Sequence, residues 1–240
     1  MSVVIVHGDK GGVGKSHVAI TYTEYLLSRK LPVLVIETDT RNADVARVFK
    51  AAAGAGIIGL EYLNLRDGSA WLDLINKLDV EEAADVVISL PGQIGGVVSD
   101  MAPSLLAALK EMGRKLAVLW VMDRGLDSIT LLKLAIASFS EAAQLVAVRN
   151  LYWGASGQFS RWADSKTRKE FLAAGGAEME LPDLSDRVTD VTVKSVPPIP
   201  FSEYADRGAL MGERHALRTW LSEAFAAFDA VANRLGSGAR

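Results

Sequence analysis

Residues 4–20 read VIVHGDKGGVGKSHVAI, with glycines at 8, 11, 12 and 14, lysines at 10 and 15, and Ser16 immediately after. These residue types at this spacing can hold a phosphate chain. Because Gly11, Gly12 and Gly14 carry no Cβ, the backbone N–H groups of the loop, Val13 included, can close around phosphate oxygens. A helix beginning at Lys15 would add its exposed amides and dipole to the same site. Lys15 would reach the β- and γ-phosphates of ATP, and the Ser16 hydroxyl would bind Mg²⁺. The general pattern is G-x-x-x-x-G-K-[ST], and in DKGGVGKS Asp9 stands at the first glycine position, so the strict pattern fails. A glycine-rich turn with no ligand is the alternative. The apolar run before the loop and the helical pattern after it weigh against that.

Other chemistry-bearing residues follow apolar runs. Asp39, in VLVIETDTRNAD, closes the second such run, and ligands of open α/β sheets bind at the C-terminal ends of strands. Capping of the next helix is the competing role, with Thr40 and Asn42 as rival caps. DVVISLPGQIGG ends in Pro91 and glycines that suit a mobile loop. Asn150, in VAVRNLYWG, ends another run, where an Asn also serves ordinary turn chemistry. The stretch SRWADSKTRKEF carries Arg161, Lys166, Arg168 and Lys169. It reads as a solvated helix face or as a patch for the phosphate backbone of DNA. Trp153 and Trp162 nearby read as core.

KGGVGKS resembles the deviant Walker A motif of the ParA/MinD family of P-loop ATPases, in which a second lysine precedes the glycine pair. That family also tolerates a non-glycine residue where Asp9 stands. The resemblance covers most of the chain through its alternating strands and helices, but the motif is its most specific part. It implies a three-layer P-loop NTPase fold, ATP/ADP and Mg²⁺ as ligands, and an ATP-dependent homodimer. Lys10 would reach across that dimer to the partner's phosphates, as an arginine finger does, and is expected to wait there exposed to solvent. Asp39 would lie near Mg²⁺ and the attacking water. Asn150, and Pro182 in ELPDLSDRV, would lie near the adenine.

Several positions depart from the family pattern. Glu37 replaces the first acid of the D-x-D-P-Q segment and Thr40-Arg41 replaces its Pro-Gln. Ser89 stands where the Walker B aspartate belongs, so no negative charge supports the metal there. His17 replaces a threonine beside the α-phosphate, where a neutral imidazole could donate a hydrogen bond. Slow hydrolysis is therefore expected. The reading is a slow, dimerising ATPase that serves plasmid partition or conjugative transfer. A non-hydrolysing nucleotide-binding regulator is the second reading. A metabolic ligase on the same fold, dethiobiotin-synthase-like, is the third, and Lys10 counts against it. The related nitrogenase iron-protein class needs cysteines, and there are none. The cargo or adaptor is not readable.

These residues need a sheet to hold them. Apolar runs at 2–7, 32–37, 59–65, 85–90, 115–122, 144–150 and 177–181 mostly lack polar alternation, as strands buried on both faces do. Helical patterns fall near 15–29, 42–52, 69–79, 102–112, 127–139, 160–174 and 184–194, and a last one places Leu217, Leu221, Phe225 and Phe228 on one face. The alternation predicts an α/β fold, a mostly parallel twisted sheet of about seven strands with helices on both faces. Half of the 240 residues are hydrophobic, enough for one large core. No Pro/Gly/Ser-rich linker divides residues 1–240, so one nucleotide-binding domain is expected. The net charge of −3 gives no global attraction to nucleic acid. No basic n-region precedes the first apolar run and no run reaches ~18 residues. A cytoplasmic protein with no membrane span is the expectation.

Overall fold

The computed structural model describes residues 1–139, 142–193, 197–208 and 210–236. Seven strands form one sheet: β1 (Ser2–His7), β2 (Val33–Glu37), β3 (Gly59–Tyr62), β4 (Asp85–Ser89), β5 (Lys115–Met122), β6 (Ala143–Asn150) and β7 (Ala177–Leu181). Their order is β3-β2-β4-β1-β5-β6-β7, and every neighbouring pair is parallel. Parallel strands need a crossover each, and helices supply it. These are α1 (Lys15–Ser28), α2 (Asp44–Gly54), α3 (Ala70–Val80), α4 (Gly95–Glu111), α5 (Leu126–Phe139), the short α6 (Ser160–Ala163), α7 (Lys166–Ala173), α8 (Asp186–Val193), α9 (Phe201–Arg207), α10 (Met211–Ala230) and the short α11 (Ala232–Leu235).

The period-two alternation of each strand splits the core into two layers. Val4, Val6, Val35 and Val87 pack against α1, α2, α9 and α10. Val3, Ile5, Leu34 and Ile36 pack on the opposite face against α3, α4 and α5. β1, at the centre, is wholly buried. Its loop to α1 therefore rises from the central strand of the sheet. The last long helix packs as its pattern predicts, with Leu217, Leu221 and Phe228 buried and Phe225 half-buried.

The sequence-based boundaries hold to within a few residues except at four places. α4 starts at Gly95 rather than 102, because a side chain from the glycine-rich loop caps a glycine pair that no propensity favours. The 160–174 pattern is two helices, broken where Ser165 turns out to cap α7 by accepting from the Arg168 amide. α9 was not visible: its start is capped by Glu24 of α1, which accepts from the Phe201 and Ser202 amides. β3 stops at Tyr62 rather than 65. The stretch SVPPIPF at 195–201, whose prolines read in the sequence as stopping a helix before the last one, lies partly outside the described residues.

Candidate functional site

The loop after β1 is shaped by glycines at positive φ, Gly12 at 77° and Gly14 at 102°. Both values lie in the left-handed region that side chains disfavour. α1 begins at Lys15, whose ammonium folds back to donate to the Lys10 carbonyl at 3.0 Å. Burial lowers the Lys15 pKa, opposed by the charges of Asp9 and Asp39. Gly11, Gly12, Gly14, Lys15 and Ser16 all face one cavity of about 450 Å³. Val13 is buried beneath them, and its carbonyl accepts from Asn150 and Trp153.

The rest of that cavity comes from β2, β4 and the helices above them. Asp39 and Ser89 contribute polar side chains to its lining, and Ile20, Val48, Ile199 and Phe201 contribute apolar ones. One Asp39 oxygen, Oδ1, accepts from the Arg41 and Asn42 amides, which leaves Oδ2 for a ligand. Capping of α2 falls instead to Glu37, whose Oε2 accepts from the Val45 and Ala46 amides. Burial pushes the Glu37 carboxyl up to about 7, against those amide hydrogen bonds. Glu37 and Ser89 are register partners on adjacent strands. His17 packs against Phe201 and Trp220, ring centroids 5.0 and 5.1 Å away. Burial lowers its pKa to about 4, so the imidazole is neutral at pH 7.

Among the described residues no three His, Asp or Glu side chains converge as a metal cage. The Ser16 hydroxyl and the Asp39 carboxylate at the phosphate loop still suit Mg²⁺. That ion takes one or two protein oxygens and completes its shell with phosphate oxygens and water.

Two contacts around the loop have no local signature in the sequence. Lys10 Nζ donates to Asp123 Oδ2 at 2.6 Å. The expected solvent exposure of Lys10 is thus only partly met, since its side chain is 38% exposed yet ion-paired. Asp123 just past β5 also accepts from the Ser128 hydroxyl and the Gly125 amide. Burial opposes its ionisation, but these donors hold its pKa below the usual carboxylate range. The second contact is made by Asp9, whose Oδ1 accepts from the Ile94 and Gly95 amides, both at 2.8 Å. Its carbonyl accepts from Gln93 N, and Arg66 holds the Gly92 and Gln93 carbonyls from the other side. The loop after β4 is thereby fastened to the phosphate loop, with Gln93 at φ 59°. The one advance sign was an acid where the pattern wants glycine.

Asn150 and Pro182 do not line the cavity. Asn150 is buried and Pro182 accepts from Trp220 Nε1 at 2.8 Å. Arg161, Lys166 and Lys169 of the basic stretch are solvent-exposed, as a solvated face requires, and Arg168 is the exception. Arg168 makes two hydrogen bonds to Glu178, which also accepts from Trp162 Nε1. Lys166 pairs with Glu170 along α7, and Arg161 donates to the Arg124 carbonyl. Trp162 is buried and Trp153 half-buried, as expected of core aromatics.

No protein-family profile matches the chain. Protein MobD of Acidithiobacillus ferrooxidans is 33% identical over 240 residues, which span 96% of this chain and 97% of that one. A Protein TraL of Escherichia coli is 27% identical over 160 residues, 60% of this chain and 61% of its own length. Among solved structures, the MinD cell division protein of Aquifex aeolicus has a TM-score of 0.54 at 13% identity, covering 92% of this chain and 97% of that one. The signal recognition particle receptor FtsY of Elizabethkingia anophelis has a TM-score of 0.52 at 14% identity, covering 92% and 65%. At such identities these structures establish the fold alone, the P-loop NTPase fold shared with MinD and FtsY. No helix among the described residues is long and apolar enough to cross a membrane.

Proposed function

The chain belongs to the family of MobD, with the fold of a ParA/MinD-like P-loop NTPase, and we propose that it is an ATPase serving conjugative transfer or partition of plasmid DNA. In this reading ATP and Mg²⁺ bind at residues 10–16, and the loaded chain dimerises. One observation carries the reading. Backbone donors of a positive-φ glycine loop, the Lys15 ammonium, the Ser16 hydroxyl and the Asp39 carboxylate all converge on one cavity. Each has a part in phosphoryl transfer, where catalysis is positioning and charge stabilisation. The amides and Lys15 would hold the β- and γ-phosphates, and Ser16 and Asp39 would hold Mg²⁺, which would supply charge neutralisation at the phosphates. Asp39 Oδ2 orients the attacking water. Lys10 supplies a cation to the partner's nucleotide.

Titration calorimetry of wild type and Lys15→Ala with ATP and Mg²⁺ tests this. Binding by wild type and its loss in the variant are expected; equal affinity in both ends the assignment. A second reading, nucleotide binding without turnover, is favoured by Ser89 at the cavity wall in place of an acid. It predicts binding in calorimetry and no phosphate release above background.

A further inference from the structure

A loop that cradles phosphate must point its peptide N–H groups at the ligand. Each peptide is planar and trans, so the carbonyl of the same plane must point away. The peptide joining Val13 to Gly14 has its carbonyl held by two side chains. Asn150 Nδ2 donates to it at 2.9 Å and Trp153 Nε1 at 3.3 Å. The donors sit at the last residue of β6 and in the turn that follows it, far from the loop in sequence. Asn150 is 4% exposed, and its Oδ1 accepts from the Tyr152 amide at 3.2 Å, so its amide group has a fixed orientation. Gly14 lies directly over it. A Cβ there would collide with Asn150 Nδ2, and φ of 102° independently requires glycine.

We propose that Asn150 and Trp153 are positioning residues for the phosphate loop. They hold the Val13 carbonyl turned outward, and so keep the Gly14 N–H of the same peptide turned to the ligand. The inference rests on the nucleotide-binding reading and assigns Asn150 a task different from contact with adenine. A residue that reads the base acts on the nucleoside alone. A residue that sets a phosphate-loop peptide acts on any triphosphate, with or without a base.

The experiment compares Mg²⁺–ATP with Mg²⁺–tripolyphosphate, which has no base, on wild type, Asn150→Ala and Trp153→Phe. Removing the better donor should weaken both ligands by the same factor, by less than the roughly tenfold or more of a buried carbonyl left wholly unsatisfied, because Trp153 still donates to it. Trp153→Phe should show a smaller loss, again equal for both. The double variant should lose more than the product of the two, because either donor alone still serves the shared acceptor. A loss confined to ATP would return Asn150 to the base and overturn the proposal, as would unchanged affinity for both ligands. Should Asn150→Ala not fold, Trp153→Phe carries the test through the same carbonyl. A wild type that binds neither ligand overturns the nucleotide-binding reading instead.

Discussion

Lys10 Nζ and Asp123 Oδ2 lie 2.6 Å apart, joining the phosphate loop to the end of β5 across 113 residues of sequence. The hydrogen bond raises the Lys10 pKa, so both groups are charged at neutral pH. A lysine that serves a partner's phosphate must first leave this carboxylate. Asp123→Asn should therefore strengthen dimerisation driven by a slowly hydrolysed ATP analogue, read by light scattering. Lys10→Ala should abolish it while monomeric ATP affinity stays within a few-fold, because Lys15 and the loop amides remain. Asp123→Asn weakening dimerisation, or a Lys10→Ala variant that dimerises normally, refutes a lysine acting across subunits.

Ser89 contributes a hydroxyl where a carboxylate would support the metal's water shell. Steady-state phosphate release should lie well below the ~1–100 s⁻¹ of kinases. The register also sets the cost of restoring the acid. In Ser89→Asp the new carboxylate would face Glu37 on the next strand, already pushed up to about 7 by burial. That variant should hydrolyse ATP faster and melt lower without nucleotide. A faster rate with no loss of melting temperature contradicts the placement of Glu37 beside it.

Arg168 is structural on this reading. Its guanidinium spans Glu178, which Trp162 also contacts. Arg168→Ala leaves a partly buried carboxylate without its cation, at a cost of about 1–3 kcal/mol. Thermal unfolding should show that loss. The salt dependence of DNA binding, if DNA is bound, should not change, whereas Lys169→Ala should lower its slope. A shallower slope in Arg168→Ala puts that residue on the DNA.

Two pairs of buried groups oppose one another in pH. Burial raises Glu24 and Glu37 to about 7, so the native chain keeps protons that the unfolded chain sheds from about 4.5 upward. Their contribution to stability falls as pH rises through that window. Burial lowers His7 and His17 to about 4, so the unfolded chain binds protons that the native chain refuses. Their contribution rises from about pH 4 to about 6.5. Wild-type stability should therefore vary little between pH 4.5 and 6.5. His17→Phe removes one rising term, and urea midpoints for that variant should fall with pH. A midpoint that climbs in the variant reverses the sign argued here.

The strand core was legible because a two-sided parallel sheet writes itself as unbroken apolar runs, and β5 and β7 match their runs residue for residue. The shape of the Gly11–Ser16 loop was legible because its positive-φ glycines and the helix start at Lys15 follow from local spacing. Asp123, Arg66 and Glu24 were not, since each acts on a segment far along the chain and none sits in a pattern. Asn150 was visible as a residue, but its hydrogen bond to the Val13 carbonyl was not. A strand-ending Asn has the same sequence appearance whether it faces a ligand or a carbonyl.

Asp9 gives the loop a mechanical attachment. Its carboxylate is fastened to the first amides of α4, a helix of 17 residues and so ~25 Å long. Any shift of the loop backbone pulls on one end of that rod. Pro103 lies inside it and removes the N–H that would close on residue 99. The Ser99 carbonyl is thus left without that partner, and the Ser99 hydroxyl meets that of Ser138 on α5 at 2.7 Å. Through Asp9 the loop is thus tied to α4 and α5 on one face of the sheet, as its own chain ties it to α1 on the other.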